Sequence, residues 1–398
     1  MTNENKVSSN KTPARIRSVT IEGFRSLRHI GGLELPQMTV LIGANGAGKS
    51  TLIRFFEMLS WMLKSQNLQE FVLRHGGGDD QFFMGARKTA RIHAEIQLET
   101  DSGFNDYRFD LSHISAGDTL MIMNEAYRFA PKKLVGKAKW TELSDVGKES
   151  ILPDQTSKTA KTICNLLRNC ATYQFHDTSI NSPIRLRWDI TDSVRMRSDG
   201  GNLAAVLLGL RENQFKRYQL VIRQIQRVLP TFKDFVLEPS FGKVDLRWQG
   251  LYSDKVFGAH LTSDGSLRLF CLLTLLNLPP EQLPDVMFFD EPELGLHPHA
   301  ITLVAEMLKR LSKTRQIFIA TQSPEMVNCF DLENIIVANA NQGETVLRKL
   351  SRERYQRWLD DEYQVADIWL QQSIGGLAWL GDEHPLNHTS NLDEGGQS

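Results

Sequence analysis

Little in this chain is extreme, and each thing it has little of narrows the reading. Net charge is nearly absent, since 46 Lys and Arg stand against 47 Asp and Glu, leaving −1 over 398 residues. A protein that coats a polyanion with its whole surface is basic, so any nucleic-acid site here must be a local patch. Cysteine is sparse: Cys164, Cys170, Cys271 and Cys329 contain no C-x-x-C, which excludes a disulfide framework and a zinc ribbon and predicts buried free thiols. No apolar run approaches the roughly 18 residues of a membrane-spanning helix, and the polar stretch from Met1 to Lys11 lacks the apolar centre of a secretory signal. Cytoplasmic residence without membrane contact is the expectation. Apolar residues are not scarce, because 41% hydrophobic and 23% charged is an ordinary soluble balance that excludes wholesale disorder. The length leaves room for two compact domains, or for one head carrying an insertion.

Patterning organises the rest. Residues 1–12 and 383–398 read as flexible tails. Strands are expected at Arg15 to Glu22, Leu33 to Leu35 and the nearly all-apolar Met38 to Gly43, with a helix over Thr51 to Leu63. Arg91 to Leu98 and Tyr107 to Leu111 alternate with period two and predict an antiparallel pair, which Met121 to Phe129 extends. Ala130 to Lys161 has no clear pattern and reads as loop. Asn202 to Leu229 carries apolar residues at helical spacing up to Pro230 and predicts one long helical region. Phe235 to Leu237 and Val244 to Trp248 are further strand candidates. From Asp264 onward helix and buried strand alternate: Leu267 to Leu278, Val286 to Phe289, Ala300 to Leu311 and Gln316 to Ala320. Such alternation indicates an α/β parallel sheet.

One motif is complete. Gly43-Ala44-Asn45-Gly46-Ala47-Gly48-Lys49-Ser50 fits G-x-x-x-x-G-K-[ST], with Thr51 behind it. Glycines let successive backbone N–H groups turn towards phosphate oxygens, and a helix opening at Lys49 directs its positive end at the same anion. Lys49 is placed to reach the β- and γ-phosphates of a bound nucleotide, and Ser50 to ligate Mg²⁺. The motif follows an apolar strand and opens a helix, which is the context a nucleotide site needs.

A second half of that site is legible downstream. Val286 to Phe289 is an apolar strand that ends in Asp290 and Glu291, and ligands of parallel sheets gather at the carboxyl ends of strands. Asp290 suits the metal, and Glu291 suits polarisation of an attacking water. Upstream, Leu261 to Arg268 is a polar turn with Ser263 and Gly265 at a helix start, either a plain N-cap or a second anion cradle. Glu293-Leu-Gly-Leu-His297-Pro298 follows the acids, and strand Gln316 to Ala320 runs into Thr321-Gln322-Ser323-Pro324.

In this order, the motifs resemble an ABC-type ATPase of the RecF/SMC/OLD branch. Val19-Thr-Ile-Glu-Gly-Phe-Arg25-Ser-Leu is similar to that branch's opening strand. Within it the chain looks most like the stand-alone AAA family ATPases, on Asp199-Gly-Gly-Asn-Leu-Ala-Ala, Ser263-Asp-Gly-Ser-Leu-Arg268, Asp290-Glu-Pro-Glu-Leu-Gly-Leu-His-Pro298 and Ile368-Trp-Leu with Gly375-Gly376. The resemblance implies an α/β P-loop NTPase fold, an ABC-type ATPase head with a mixed central sheet, an antiparallel β lobe and a helical insertion. It divides the chain into 13–130 (phosphate loop and antiparallel lobe), 131–255 (insertion) and 256–381 (signature turn, Asp-Glu strand and switch strand). It further implies ATP and Mg²⁺ as ligands and a homodimer or higher homo-oligomer closed by an ATP sandwich. In that arrangement Ser263 and Gly265 touch the γ-phosphate held by the partner, and Glu293 to His297 line the seam. Gln174 is the candidate metal-sensing glutamine, with Gln81 as the alternative.

Two departures bear on catalysis. Thr262 stands where the signature turn usually has Leu. Gln322 occupies the switch position where His is common, and an amide donates a hydrogen bond but carries no charge. Slow or partner-dependent turnover is the expectation. The residues after Gln322 are too few for the nuclease domain that follows the head in OLD proteins, so the expected effector, a nuclease or toxin, is a separate protein. The zinc hook of long-coiled-coil relatives lacks its C-x-x-C. His297 and His299 read as seam or surface residues. DNA contact is suggested by Lys132, Lys133, Lys137 and Lys139, by Arg185, Arg187, Arg195 and Arg197, and by Arg211, Lys216, Arg217, Arg223 and Arg227.

Overall fold

A computed structural model describes residues 14–64, 66–134, 138–143, 146–353, 355 and 363–370. The expected tails, Lys137 and the Gly375-Gly376 pair lie outside the described residues. The chain forms two compact units.

The first unit comprises Met1–Gln37, Phe55–Cys170 and Thr314–Gln316. Its sheet has the order β2-β1-β4-β5-β6-β7. The strands are β1 (Arg15–Phe24), β2 (Leu27–Glu34), β4 (Ile92–Thr100), β5 (Gly103–Ile114), β6 (Thr119–Pro131) and β7 (Thr141–Leu143). All of these pairings are antiparallel. Period-two alternation buries Ile92, Ala94, Ile96 and Leu98 on one face, where Phe55 meets Phe24 edge-on at 5.6 Å and stacks on Phe109 at 6.5 Å. Buried Tyr107 donates to Glu125 Oε1 at 2.5 Å, and Ser150 donates to the same oxygen. This network orders part of the stretch that looked patternless in sequence. The loop expectation over Ala130 to Lys161 is corrected at both ends, because β6 runs to Pro131, β7 adds an edge, and α3 (Lys158–Arg168) starts at a Ser157 cap. The apolar face of α3 recurs with helical spacing only from Ala160 on, beyond most of that window.

The second unit comprises Met38–Arg54, Ala171–Lys313 and Ile317–Ser398. Its principal sheet has the order β17-β16-β3-β15-β14-β8. The strands are β3 (Met38–Ile42), β8 (Cys170–Tyr173), β14 (Val286–Asp290), β15 (Gln316–Thr321), β16 (Ile335–Asn341) and β17 (Glu344–Lys349). β3 runs parallel to both β15 and β16, whereas β16 and β17 form an antiparallel hairpin, so the sheet is mixed. Every residue of β3, β14 and β15 is buried, which explains their continuous apolar runs. Ring stacking of Phe288 on Phe318 at 4.5 Å and of Tyr173 on Phe289 at 5.7 Å fixes β14 among its neighbours. Around the sheet lie α4 (Leu203–Asn213), α5 (Phe215–Val228), α6 (Asp264–Leu276) and α7 (Pro298–Leu311).

The single long helix expected from Asn202 is two, broken at Gln214 (φ −143°, ψ 55°). The Gln214 N–H closes α4 on the Leu210 carbonyl at 2.8 Å, and its own carbonyl accepts from Arg217 at 2.8 Å to start α5. Apolar periodicity runs through both helices, so spacing alone could not show the break. The later strand candidates are displaced by a few residues: the strands are β10 (Phe232–Phe235), β11 (Lys243–Val244) and β12 (Arg247–Gly250), while buried Leu237 and Leu246 lie between them. Three cysteines are buried free thiols as expected, but Cys329 is only half-buried. No helix among the described residues is long and apolar enough to cross a membrane.

Candidate functional site

The buried strand β3 delivers its chain end into the glycine loop, and α1 (Lys49–Lys64) starts on the last residues of that loop. Gly48 has φ +93°, and a Cβ there would meet Thr345 Oγ1 at 1.9 Å, so both conformation and space demand glycine. Thr345 comes from β17, an element the sequence did not announce. Asn45 and Gly46 form the exposed lip, and a Cβ at Gly46 would meet nothing within 4 Å. The loop is therefore open on the side where phosphates would enter. Ala47 is buried beneath it, its N–H donating to the Ala44 carbonyl at 3.2 Å, and the N–H of Thr51 donates to the Gly48 carbonyl at 3.1 Å.

Lys49 is buried and donates from Nζ to the carbonyls of Gly43 at 2.7 Å and Ala44 at 3.1 Å. Burial lowers its pKa, while Glu291, Asp290 and Glu293 pull in the opposite direction. Asp290, 8% exposed, ends β14. Its Oδ2 accepts from Ser50 Oγ at 3.1 Å and from Gln174 Nε2 at 3.0 Å, and its carbonyl accepts from His176 Nε2 at 2.9 Å. Ser50 and Gln174, far apart in sequence, thus meet at one carboxylate. A hydroxyl, a carboxylate and an amide oxygen are hard oxygen donors of the kind Mg²⁺ takes, so the donor set fits that ion. Glu291 follows with φ +44°, its N–H donating to the Ala320 carbonyl at 2.8 Å. A non-glycine residue in the left-handed region is strained, and here the neighbouring strand holds it there.

Glu293 was expected only as a seam residue, yet it is buried. Thr321 Oγ1 donates to its Oε1, and its Oε2 is buried without a hydrogen-bond partner. Burial, aided by the nearby Glu291, pushes its pKa up to about 7. In sequence its place three residues beyond Asp290 was visible, but its burial against Thr321 of β15 was not. Gln322, immediately after Thr321, is exposed, and Ser323 caps the short helix behind it by accepting from Met326 N–H at 3.2 Å.

Ser263 and Gly265 sit in a separate turn. Ser263 caps α6, its Oγ accepting from Ser266 N–H at 3.2 Å. A Cβ on Gly265 would lie 2.4 Å from the Gly295 carbonyl oxygen, so this glycine is needed for close packing on the loop that follows the acid pair.

Residues 38–328 match the family described as AAA domain, putative AbiEii toxin, Type IV TA system. The chain belongs to that family. It is also 22% identical, over 85% of its length, to the Old nuclease of Escherichia phage P2, and it spans 62% of that relative. Two solved structures share its fold. A Smc head bound to the C-terminal winged-helix domain of ScpA aligns with TM-score 0.54 and 16% identity, over 86% of this chain and 99% of that one. A Smc head with an extended coiled coil, bound to the C-terminal domain of ScpA from Pyrococcus furiosus, gives 0.53 and 15%, over 88% and 99%. The fold is that of an ABC-type, SMC-head-like P-loop ATPase.

Within this AAA-domain chain the remaining candidates separate. Gln81 is fully buried, accepts from Arg25 Nε at 3.0 Å, and donates to the carbonyls of His75 at 3.0 Å and Gly77 at 2.8 Å. Its amide is spent within its own unit, whereas the Gln174 amide reaches Asp290. His297 caps α7, its Nδ1 accepting from His299 N–H at 3.3 Å, and both rings are exposed. Much of the basic clustering is structural. Arg185 pairs with Asp264 at 2.8 Å, Arg211 donates to the Leu237 carbonyl at 2.6 Å, and Arg217 to the Asn277 carbonyl at 3.1 Å. Lys216, Arg223 and Arg227 remain exposed along α5.

Proposed function

We propose that the chain is a Mg²⁺-dependent ATPase that works as a nucleotide-switched homodimer. The observation that carries this reading is the convergence of Ser50 and Gln174 on Asp290 Oδ2, one residue before Glu291 and behind the open glycine loop. Gly43 to Thr51 would cradle the phosphates through backbone N–H groups, and Lys49 would exchange the carbonyls of Gly43 and Ala44 for β- and γ-phosphate oxygens. Ser50 and Asp290, with Gln174 beside them, would hold Mg²⁺, which when bound supplies positive charge against the phosphate oxygens. Glu291 would take the proton of the attacking water as the terminal phosphate leaves ADP. Ser263 and Gly265 of one protomer would close on the ATP held by the other, so binding joins the heads and release parts them. On this reading 13–130 and 256–381 would be the two halves of the ATPase head and 131–255 its helical insertion.

The cellular role proposed is cytoplasmic and anti-phage, or else in repair, with a separate nuclease or toxin as effector and with DNA as a possible polyanion along Lys216, Arg223 and Arg227. The family description and the phage nuclease relative support defence. Gln322 favours a second reading, in which ATP is a clamp with negligible turnover and the output is recruitment of a partner, because an uncharged amide stabilises a leaving phosphate less than an imidazolium does. Phosphate release by wild type, Lys49→Ala and Glu291→Gln separates the two. The ATPase reading expects a steady rate that both substitutions reduce to background, and a wild-type rate already at background supports the clamp.

A further inference from the structure

Strand β16 outlasts β3. The last residue pair between them is Val337 with Ile42, after which β3 gives way to the glycine loop and β16 runs on from Ala338 to Asn341 before returning as β17. Asn341 pairs with Glu344, so two residues make the turn, Gln342 (φ +48°) and Gly343 (φ +83°). Two left-handed residues give the hairpin turn whose twist matches its strands, which makes a short and stiff connection. At about 3.3 Å per residue, roughly 13 Å of hairpin thus stands beyond the last pair with β3.

The glycine loop rests on this overhang at both ends. A Cβ on Gly43 would meet the Ala338 carbonyl oxygen at 2.4 Å, and one on Gly48 would meet Thr345 Oγ1 at 1.9 Å and its Cβ and Cγ2 at 2.9 Å. Ala338 stands on one strand of the hairpin and Thr345 on the other, and both are buried. Neither contact can yield easily, since one is a backbone carbonyl and the other a β-branched side chain that is stiff at χ1. Between them Asn45 and Gly46 are exposed, and Lys49 ties the loop across by donating to the Gly43 carbonyl at 2.7 Å.

We infer that the β16–β17 hairpin braces the phosphate loop from behind, through the Ala338 carbonyl and the Thr345 hydroxyl, so that Thr345 sets nucleotide affinity without touching nucleotide. Thr345 is a positioning residue that acts through Gly48. The brace matters most once Lys49 has left the Gly43 carbonyl for a phosphate oxygen, because the tie across the loop is then lost while the hairpin contacts do not involve Lys49. A loop already held in its binding shape loses less freedom when the ligand arrives and binds it more tightly. The inference rests on the nucleotide-site reading above and adds to it a residue outside every motif.

Titration of the full chain with a fluorescent ATP analogue and Mg²⁺, fitted for both Kd and the number of sites, tests the brace. Thr345→Ala should bind about tenfold more weakly with one site per chain. Thr345→Val puts a methyl where only an oxygen fits and should be weakened to a similar degree. Thr345→Ser keeps the oxygen and should stay within about threefold of wild type. A role in folding alone would lower the number of sites and leave Kd at the wild-type value. That outcome overturns the inference, as does a wild-type Kd in Thr345→Ala or Thr345→Val, or a Thr345→Ser no tighter than Thr345→Ala. Should the Thr345 variants fail to fold, Gly343→Val decides. It strains the exposed turn at φ +83°, and Kd should rise about threefold or more, whereas a wild-type Kd overturns the inference. A wild type that fails to bind Mg-ATP overturns the nucleotide-site reading and this inference with it, while normal wild-type binding with unaltered Kd in the variants overturns the inference alone.

Discussion

At the scale of single residues, the site is a set of carboxylates in unlike surroundings. Glu291 is half-exposed beside a strained backbone, whereas Glu293 is buried two residues on. Glu291→Gln should therefore retain ATP binding while kcat falls by about 10² or more, the range for loss of a general base. Phosphate release and nucleotide titration together check this, and an unchanged kcat assigns the water to another group. Glu293 predicts a pH effect instead. Its carboxyl is raised from 4.5 to about 7, so between those values the folded chain keeps a proton that the unfolded chain has released. Stability should fall as pH rises through that window. Glu293→Gln removes the titration and should flatten the dependence of Tm on pH there; identical slopes would show that Glu293 is not the group responsible. Gln322 makes the third prediction, that Gln322→His raises the basal rate. If the rate does not move, the amide is not what limits turnover. The glycine loop, Asp290 and Glu291 were all legible in the sequence, because each is a local motif whose chemistry needs adjacent residues. Glu293 was visible as a letter but not as a buried acid, since its burial depends on Thr321 from another strand.

At the scale of elements, what the sequence showed and what it hid divide by range of contact. Strands β3, β14 and β15 announced themselves by being apolar throughout, and β4 and β5 by strict alternation. The α4–α5 break did not, because one apolar period runs across it. The β16–β17 hairpin went unread, although Thr345 fills the space beside Gly48. The contacts of Arg185 and Arg268 were equally hidden: in sequence one stands in a basic cluster that suggests DNA and the other ends the Ser263-to-Arg268 pattern, and only the fold brings carbonyls to them. One glycine tests this level. Gly265→Ala places a methyl 2.4 Å from the Gly295 oxygen, a backbone atom that cannot swing aside. It should cost about 1–3 kcal/mol, the range for overpacking, and move the denaturation midpoint accordingly. A midpoint equal to wild type would mean that the two loops are not in contact in solution.

At the scale of the molecule, nucleotide is the expected control on association. On the proposed reading, Lys49, Asp290 and Glu291 are one half-site and the Ser263–Gly265 turn is the other, and each would be completed by a partner protomer. The Smc-head likeness gives the fold, while the pairing is this account's own claim. Its most direct test is the solution mass of Glu291→Gln by light scattering, with and without Mg-ATP. The substitution should hold ATP without activating water, so the closed pair should accumulate and the mass should double only when nucleotide is present. A mass that stays at one chain under saturating Mg-ATP, or at two chains without it, would contradict the nucleotide-switched dimer.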